Sequence, residues 1–506
     1  MLAKSVPIKI LRRGLGVRIE PADPVHHLVS DVASFDRVIS VSAGRGRTRR
    51  EYKHETLYKV VKDRATGAPY ILTYAGILPR LAKALRADGF VLEATDLGTG
   101  MPDFEPQYDH LDEITLRDAQ MRMLKVMLSS DRAQMEAPTG AGKTFLVRVM
   151  CQCYPQPDCR IVVAVPNRNL LHAYLDTLIP LFKRGEVGQV GDGRKDLKAR
   201  IIVSTFDSLA LVDPNDKYIL FVDEVHETGT ELRWAMLSRF VRSKMFGLSG
   251  STECRADKAD LAVESLFGPV VERSTYLEGV EQGYLADVET YFYLHSNQPC
   301  DLQNDVARRR KTVWANAARN QTIATVCKYW DAKLKERNGT EPQIVILVDT
   351  VEHMFHLKQL LPDYTLVYNT MSDSVFSRLM KQGLIPRGWR ALKASERQQI
   401  RRDAEAGLVR KLMFIGTSGG TGIDFRNLDV LMRADAGQTE RTNIQYRGRA
   451  TRGEFGIYAD IADTGPNETL RRKARKRFAS AKKAGWKPKV IDLWNNHQEV
   501  LPSRGR

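Results

Sequence analysis

The sequence lacks long apolar runs. A membrane-crossing helix needs about 20 apolar residues, whereas the short apolar stretch Ile8–Leu11 is cut off by Arg12 and Arg13. That stretch is also too short for a secretory signal, and no segment is typical of an amphipathic membrane anchor. These absences argue against a secreted or membrane-bound protein. We expect the protein in the cytoplasm, which is the host cytoplasm if a phage encodes it.

Cysteine is scarce, with six residues in the whole chain. Cys151, Cys153 and Cys159 are neighbours in sequence, but no histidine or second cysteine pair lies at the spacing of a zinc site. We interpret them as reduced thiols. Internal repeats and long low-complexity tracts are also lacking, which argues against a repeat architecture.

Acidic residues are outnumbered by basic ones. The chain has 77 Lys and Arg against 61 Asp and Glu, for a formal net charge of +16. Basic side chains gain affinity for polyanions by displacing counterions from phosphates, so the charge favours a nucleic-acid partner over an acidic membrane surface. At 506 residues and 43% hydrophobic content, the chain is long enough for about three domains with packed cores.

A phosphate-binding loop is predicted at APTGAGKT, residues 137–144. A strand-like stretch ends near Met135 and a helix is expected after the loop, so its backbone N–H groups would point at phosphate oxygens. Lys143 would reach the β- and γ-phosphates, and the Thr144 hydroxyl would ligate Mg²⁺. A chance Gly-rich turn is the alternative, because Ala137 replaces the first Gly of the pattern. The expected ATP contacts here are Pro138, Thr139, Gly140, Ala141, Gly142, Lys143 and Thr144.

Two carboxylates follow a predicted buried strand at residues 218–222. In open α/β sheets, ligands bind at the carboxyl ends of such strands. Asp223 would hold Mg²⁺, directly or through water, and Glu224 would orient and deprotonate the attacking water. A solvated acidic turn that includes Glu227 is the alternative, but it is weakened by the presence of Lys143.

Paired arginines occur in QYRGRATR, residues 445–452. Arg449 and Arg452 are three apart and would share one face of a helix with Gln445. An arginine supplied from outside the phosphate loop can stabilise charge on the γ-phosphate by roughly 10³ to 10⁵ in rate. The alternative is an ordinary basic helix face, since Arg441 and Arg447 are nearby.

In this order, the three strings resemble a superfamily 2 helicase or translocase of the DExH type, over roughly residues 105–480. The resemblance implies an α/β fold of two tandem RecA-like lobes, each a parallel sheet flanked by helices, preceded by a small α/β N-terminal domain. It also implies ATP and Mg²⁺ as cofactors, with Arg449 and Arg452 acting alongside Lys143, Asp223 and Glu224 in catalysis.

Further motifs of that family can be matched in order, although Asn167 stands where a Thr is usual and Gly250 where an Ala is usual. The resemblance assigns adenine reading to Gln120 in LRDAQ, and further ATP contacts to Gly422 and Asp424 in TGID and to Gln445. Coupling of hydrolysis to movement is assigned to His226, Ser249 and Ser251, and contacts with the tracking strand to Arg168 and Thr205.

Gly- and Pro-rich stretches and changes in composition along the chain predict four regions. A small basic α/β nucleic-acid-binding domain is expected at 1–104, a first lobe that binds ATP at 105–290, a second lobe at 291–463 and a basic extension at 464–506. The second lobe is expected to open with a helix around Arg319, and 457–461 to be its last strand. The stretch 369–395 is either an inserted loop that touches nucleic acid or a local helix pair.

Two basic segments are candidate phosphate contacts. We expect the first, residues 44–53, to be a flexible loop. It either grips phosphate or is a solvated charge run, and we weight these two alternatives equally. The second, residues 470–489, has no acidic residue, so we expect it to bind phosphate unless the acidic side of a lobe neutralises it. The arginines assigned to DNA in the first segment are Arg45, Arg47, Arg49 and Arg50.

Within the superfamily, the domain layout resembles that of the phage UvsW-type helicases. Two sequence segments add to this resemblance: GLSGS at 247–251, and LFGPVVE followed by QGYL in 266–285. The resemblance implies an ATP-dependent DNA helicase that unwinds or branch-migrates branched DNA in recombination, repair or replication-fork processing. Contacts to the DNA backbone would make it largely sequence-independent, and we expect a monomer. An RNA helicase, a restriction-type motor subunit and a binding scaffold with a silent ATPase are the alternatives.

Overall fold

The computed structural model describes residues 7–42, 48–101, 104–138, 140–250, 259–302, 304–368, 371–385, 389–390, 392–415, 428–437 and 456–493. The chain divides into two compact units. The first comprises residues 1–137 and 142–274, and the second comprises residues 275–506 together with 138–141. In the part of the chain that is described, no helix is both long and apolar enough to cross a membrane.

The first unit begins with a small α/β module. Its elements are β1 (Ile8–Arg13), β2 (Gly16–Glu20), α1 (His26–Val32), β3 (Ser34–Ser42), β4 (Thr48–Thr56), β5 (Tyr58–Lys62), β6 (Pro69–Tyr74), α2 (Leu78–Ala87) and β7 (Leu92–Asp96). Five strands form a mixed sheet in the order β5-β6-β2-β1-β7. Helix α2 is amphipathic and buries Leu81 and Leu85 completely against this sheet.

The basic segment 44–53 is mostly strand rather than the predicted flexible loop. Strands β3 and β4 pair antiparallel along their full lengths, from Ser34 opposite Thr56 to Ser42 opposite Thr48. Residues that face each other across the two strands satisfy one another's backbone N–H and C=O groups. The ladder therefore continues along β4, which takes up most of the basic segment. The backbone of Arg50 lies in β4, whereas Arg45 and Arg47 lie outside the described residues.

The rest of the first unit is lobe 1. It contains α3 (Asp118–Ser129), β8 (Arg132–Glu136), α4 (Lys143–Cys153), β9 (Ile161–Val165), α5 (Arg168–Leu178), β10 (Val187–Gly191), β11 (Arg194–Lys195), β12 (Ile201–Thr205), β13 (Ile219–Asp223), α6 (Glu231–Leu237), β14 (Lys244–Ser249), α7 (Asp260–Phe267) and β15 (Val270–Arg273). The strand order is β11-β10-β12-β9-β13-β14-β8-β15, and the described pairs are parallel except β10 with β11. Strands β9, β12 and β13 are buried along their lengths, as expected for a sheet covered on both faces.

The N-terminal module packs directly on lobe 1. Tyr74 meets Trp234 edge to face, with ring centroids 5.2 Å apart. Gly76 lies so close to α7 that a Cβ placed on it would be 2.0 Å from the carbonyl oxygen of Glu264. A residue with a side chain would therefore force the two backbones apart, so the module and lobe 1 share one packed boundary.

The second unit is lobe 2. It contains α8 (Tyr276–Glu281), β16 (Glu289–Ser296), α9 (Asp305–Arg309), α10 (Ala317–Asn338), β17 (Ile344–Val348), α11 (Val351–Leu360), β18 (Thr365–Val367), α12 (Asp373–Lys381), α13 (Ala394–Glu405), β19 (Lys411–Ile415), β20 (Val430–Arg433), β21 (Ile457–Thr464), α14 (Glu468–Lys483) and β22 (Lys489–Ile491). A turn of π-helix, Arg310–Trp314, separates α9 from α10. The parallel strands are ordered β18-β19-β17-β20-β21-β16-β22.

The boundaries of this unit differ from the predicted ones. It begins near Thr275, since Tyr276 and Val288 belong to its buried core, and its first strand is β16 rather than the helix around Arg319. At the other end, β22 pairs with β16 after the strand predicted to be last. Residues 464–493 thus continue the lobe 2 fold, because they bury apolar side chains on its sheet.

The basic helix α14 is neutralised from within the lobe on one side. Arg477 is fully buried and its guanidinium is 2.9 Å from both carboxylate oxygens of Asp460 on β21. Leu470, Ala474 and Phe478 are buried beside it. Arg472, Arg475 and Lys476 are exposed on the opposite side. The basic charge of this outer face stays exposed, whereas that of Arg477 is neutralised within the lobe.

The stretch 369–395 matches the predicted local helix pair rather than an inserted loop. Helix α12 occupies its first part, and α13 begins at its end. Trp389, between them, stacks on Tyr368 at 6.1 Å and on Phe376 at 5.9 Å between ring centroids. Aromatic packing of this kind holds the connection on the lobe.

Candidate ATP and nucleic-acid site

The predicted phosphate loop, residues 137–144, joins β8 to α4. Gly140 and Gly142 have φ values of +91° and +87°, a left-handed conformation that glycine adopts without a Cβ clash. The N–H of Ala141 donates to the carbonyl of Pro138 at 3.1 Å and closes the turn. Helix α4 then begins at Lys143, so its unsatisfied N–H groups and positive dipole end face the loop.

The Lys143 ammonium lies against this loop. Its Nζ donates a hydrogen bond of 2.9 Å to the carbonyl oxygen of Ala137. Gly250, in the turn after β14, passes close by, since a Cβ on it would be 4.0 Å from the same Nζ. A phosphate would therefore meet an amine already aimed at the turn.

Gln120 is the predicted adenine contact, and it is buried beside the loop. Its Oε1 accepts a hydrogen bond of 3.1 Å from the backbone N–H of Arg117. Its Nε2 is so near Gly142 that a Cβ there would lie 2.3 Å away. Gln120 thus couples the start of α3 to the conformation of the phosphate loop.

The two predicted catalytic carboxylates lie at the end of β13. Asp223 is 3% exposed, and its Oδ1 accepts the backbone N–H of Glu224 at 2.9 Å. Burial raises the pKa of Asp223, while the positive charge of Lys143 acts to lower it. Glu224 has φ +52° and ψ +46°, an uncommon left-handed conformation for a residue with a side chain. Such strain clusters at functional sites.

The oxygen atoms near the loop fit Mg²⁺, a hard cation that prefers carboxylate, hydroxyl and water oxygens. The Asp223 carboxylate is desolvated and keeps one hydrogen bond from Tyr174, whose hydroxyl is 3.1 Å from Oδ2. Tyr174 also shares a side-chain hydrogen bond with Thr144. Asp223 and Thr144, the two predicted ligands, therefore converge on one point. Sequence reasoning missed Tyr174, which carries no motif signal of its own.

The side chains of Glu224, His226 and Ser249, from two motifs, form a linked set. The Ser249 hydroxyl donates to Glu224 Oε2 at 3.4 Å and is hydrogen-bonded to His226 Nδ1. His226 Nδ1 is itself 3.3 Å from Glu224 Oε2. Strands β13 and β14 are parallel neighbours with Asp223 opposite Leu248, and this register brings the ends of both motifs together. A change at Ser249 would therefore reach the carboxylate directly.

A second group of polar residues lies at the same edge of the lobe 1 sheet. The Thr205 hydroxyl, at the end of β12, donates to Ser208 Oγ at 3.0 Å. Arg168 opens α5 after β9, and its guanidinium is 3.0 Å from Asp192 and largely exposed. Asp192 lies in the β10–β11 turn, with φ +50°. The turns at the carboxyl ends of parallel strands lie side by side at one edge of the sheet. Sequence reasoning did not single out Asp192.

Asn167 has a structural role where the related motif has a Thr. Its side-chain oxygen accepts the N–H of Leu170 at 3.1 Å and caps α5. An N-cap of this kind satisfies one of the free N–H groups of a helix.

Nine predicted site residues lie outside the described residues. They are Arg45, Arg47, Thr139, Ser251, Gly422, Asp424, Gln445, Arg449 and Arg452.

Comparisons with known proteins find similar sequences and folds. The family model described as the type III restriction enzyme, res subunit, matches residues 113–253. The DNA 3′–5′ translocase XPB2 of Sulfurisphaera tokodaii is 23% identical over 356 residues, which are 67% of this chain and 79% of XPB2. The region matched by the family model includes the predicted phosphate loop and the two carboxylates predicted to be catalytic, Asp223 and Glu224.

Solved structures show the same fold. S. cerevisiae Dbp5, bound to RNA and ADP BeF3, is 13% identical, covers 78% of this chain and 94% of its own, and has a TM-score of 0.51. UvsW of T4 is 16% identical and covers 96% of this chain and 100% of its own, but its TM-score of 0.41 is too low to support an argument. Two RecA-like lobes, each a parallel sheet flanked by helices, are thus the fold of this chain.

Proposed function

Because this chain is an ATP-driven motor enzyme of helicase superfamily 2, we propose that it translocates on DNA and unwinds or branch-migrates branched DNA. The observation that carries the proposal is the edge of the lobe 1 sheet, where the ends of β8, β13 and β14 bring together Lys143, Asp223 and Ser249. Thr205 and Arg168 lie at the ends of strands β12 and β9 of the same sheet.

Lobe 1 residues would carry the chemistry of ATP hydrolysis. Lys143 would exchange the Ala137 carbonyl for phosphate oxygens of ATP, with the N–H groups at the start of α4 completing the contact. Glu224 would accept a proton from the attacking water as its oxygen bonds to the γ-phosphorus and the bond to ADP breaks. Asp223 and Thr144 would hold Mg²⁺, which neutralises phosphate charge when bound.

Movement would be coupled to hydrolysis through Ser249 and His226. Both touch Glu224, so a change of charge or position at the γ-phosphate would alter their hydrogen bonds. Arg449, Arg452 and Gln445 are proposed to act on the ATP phosphates, and Gly422, Asp424 and Ser251 are proposed to complete the ATP and coupling sites. These six are proposed on motif resemblance alone.

DNA is the favoured track. The relative XPB2 is named a DNA translocase, the matching family model is that of a restriction-enzyme subunit, and the net charge of +16 suits a polyanion. Contacts from Arg168 and Thr205 would be to phosphates, so little sequence preference is expected. RNA is the second candidate, favoured by the fold shared with RNA-bound Dbp5.

The test is the steady-state ATPase rate of the full chain with matched single-stranded DNA, duplex DNA, four-way junction and RNA. We expect stimulation by DNA, greatest with the junction, together with ATP-dependent conversion of the junction into two duplexes. Stimulation by RNA alone would show that the chain moves on RNA rather than on DNA. Equal stimulation by duplex and junction, without junction conversion, would refute branch migration but leave translocation standing.

A further inference from the structure

Tyr174 lies where the two proposed magnesium ligands meet. It comes from α5, is fully buried, and belongs to none of the motifs assigned above. Its hydroxyl donates to Asp223 at 3.1 Å and shares a hydrogen bond with Thr144. A single phenol oxygen thus ties the end of β13 to the first turn of α4.

The same helix reaches the proposed nucleic-acid contacts at its other end. Arg168 is its first residue and pairs with Asp192 at 3.0 Å, and His172, one turn on, approaches the other oxygen of Asp192 at 3.1 Å. Tyr174 follows in the second turn of α5. Because an α-helix is stiff over so short a length, a displacement at Arg168 moves the Tyr174 hydroxyl as well.

We propose that Tyr174 is a positioning residue that orients Asp223 and Thr144 for Mg²⁺ and transmits nucleic-acid contact at Arg168 to the ATP site through α5. This rests on the proposed function. The hydroxyl acts by holding the carboxylate in one rotamer, because a buried carboxylate that loses a donor must find another or shift. The phenol itself takes no part in bond making or breaking.

The experiment compares Tyr174→Phe with Tyr218→Phe. Tyr218 is a matched control, since it is also a buried lobe 1 tyrosine whose hydroxyl meets a carboxylate, Asp216, at 3.1 Å. One readout needs no turnover: binding of a fluorescent ADP analogue is titrated with Mg²⁺. The other is the ratio of ATPase rates with and without single-stranded DNA.

For Tyr174→Phe, we expect the Mg²⁺ concentration at half-maximal nucleotide binding to rise about five- to tenfold, and the DNA stimulation ratio to fall by a similar factor. Tyr218→Phe should leave both values within about twofold of the original chain. Tyr174→His, which keeps a ring with an N–H donor, should recover part of the Mg²⁺ dependence. This recovery separates positioning from a simple loss of packing.

Two results would overturn the inference. One is an unchanged Mg²⁺ dependence and stimulation ratio in Tyr174→Phe; the other is an equal loss in Tyr218→Phe. If Tyr174→Phe does not fold, the Tyr174→His titration decides: a Mg²⁺ requirement raised by up to about fivefold supports the role, and one equal to that of the original chain overturns it. Failure of the proposed function would look different, because the original chain would then show no ATPase activity with any nucleic acid.

Discussion

The guanidinium of Arg37 donates a hydrogen bond of 2.6 Å to the carbonyl oxygen of Gly229. Gly229 ends the short 3-10 turn Val225–Gly229 that follows Glu224. The other side of the guanidinium pairs with both carboxylate oxygens of Glu55 at 2.8 Å. The base of the β3–β4 hairpin is therefore fastened to the segment that contains His226 and directly follows Glu224, the proposed catalytic carboxylate.

Replacing Arg37 with Ala should destabilise the first unit. The substitution removes the nearer ion-pair partner of Glu55, which still has Lys53 at 3.5 Å, and the donor to the Gly229 carbonyl, at a cost of about 2 kcal/mol. The thermal unfolding midpoint should fall by several degrees, and the hairpin should become more sensitive to protease. Arg49→Ala is the control, because its partner Glu51 and the arginine are exposed and such pairs contribute about 0 to 1 kcal/mol. Equal midpoints for the two variants would contradict the docking role.

Lys143→Ala should abolish ATP hydrolysis while sparing nucleic-acid binding. The substitution removes the charge that would meet the phosphates but leaves Arg168 and Thr205 in place. Turnover and DNA affinity are measured side by side, by phosphate release and fluorescence anisotropy. Lys83→Ala, on the exposed face of α2, is the control and should change neither. Retained turnover in Lys143→Ala would mean that the phosphate loop is assigned to the wrong residues.

Ser249→Ala should uncouple hydrolysis from unwinding. The hydroxyl links His226 to Glu224, and its loss leaves the water-activating carboxylate in place. We expect strand separation to fall about tenfold or more, equivalent to about 1.4 kcal/mol, with a smaller fall in DNA-stimulated ATPase. A strand-displacement assay run beside phosphate release gives the ratio. Equal losses in both assays would place Ser249 in hydrolysis rather than coupling.

The outer face of α14 should contribute phosphate contacts. The combined variant Arg472→Ala, Arg475→Ala and Lys476→Ala removes three exposed charges and leaves the buried Arg477–Asp460 pair intact. The slope of log affinity against log salt for duplex DNA should become shallower by about 2 to 3. The control removes exposed charges from α10, at Lys328, Lys335 and Arg337. Equal slopes for the two triple variants would exclude this surface.

Lobe 2 should lose stability on mild acidification through His295. Burial lowers the pKa of His295 to about 4, below its unfolded value of about 6.5. The folding stability that neutral His295 contributes is therefore fully present above about pH 6.5. This stability is lost as the pH falls toward 4, by about 2 kcal/mol between pH 7 and 5. The pH dependence of the unfolding midpoint should be weaker in His295→Gln than in the original chain. His54→Gln, at an exposed position, should not weaken it.

Where the candidate ATP-site residues lie in lobe 1 was largely predictable, because they lie near strand ends and have distinctive chemistry. Lys143 follows β8, and Asp223 ends β13, as the predicted helix and buried strand implied. Tyr174 and Asp192 could not be found this way. Their roles depend on which residue of a helix or turn faces a distant strand end, and that depends on packing rather than on local pattern.

Domain boundaries were less predictable. The N-terminal module was expected to stand apart, yet Gly76 and Tyr74 pack on lobe 1 so closely that both share one unit. Deleting the module would expose apolar surface, so its role is better tested by point substitutions such as Arg37→Ala. The basic C-terminal segment was similarly expected to be an extension, but its inner face is a structural part of lobe 2.

Local sequence alone determined that this protein has a candidate phosphate loop, a pair of carboxylates at the end of a buried strand, and a basic character suited to nucleic acid. Each follows from residue chemistry and short-range periodicity, which a single chain displays directly. Tertiary structure alone decided that Arg37 meets Gly229, that Arg477 is buried on Asp460, and that Tyr174 joins Asp223 to Thr144. These contacts join residues far apart in sequence, and only the packing of sheets and helices brings them within hydrogen-bonding distance.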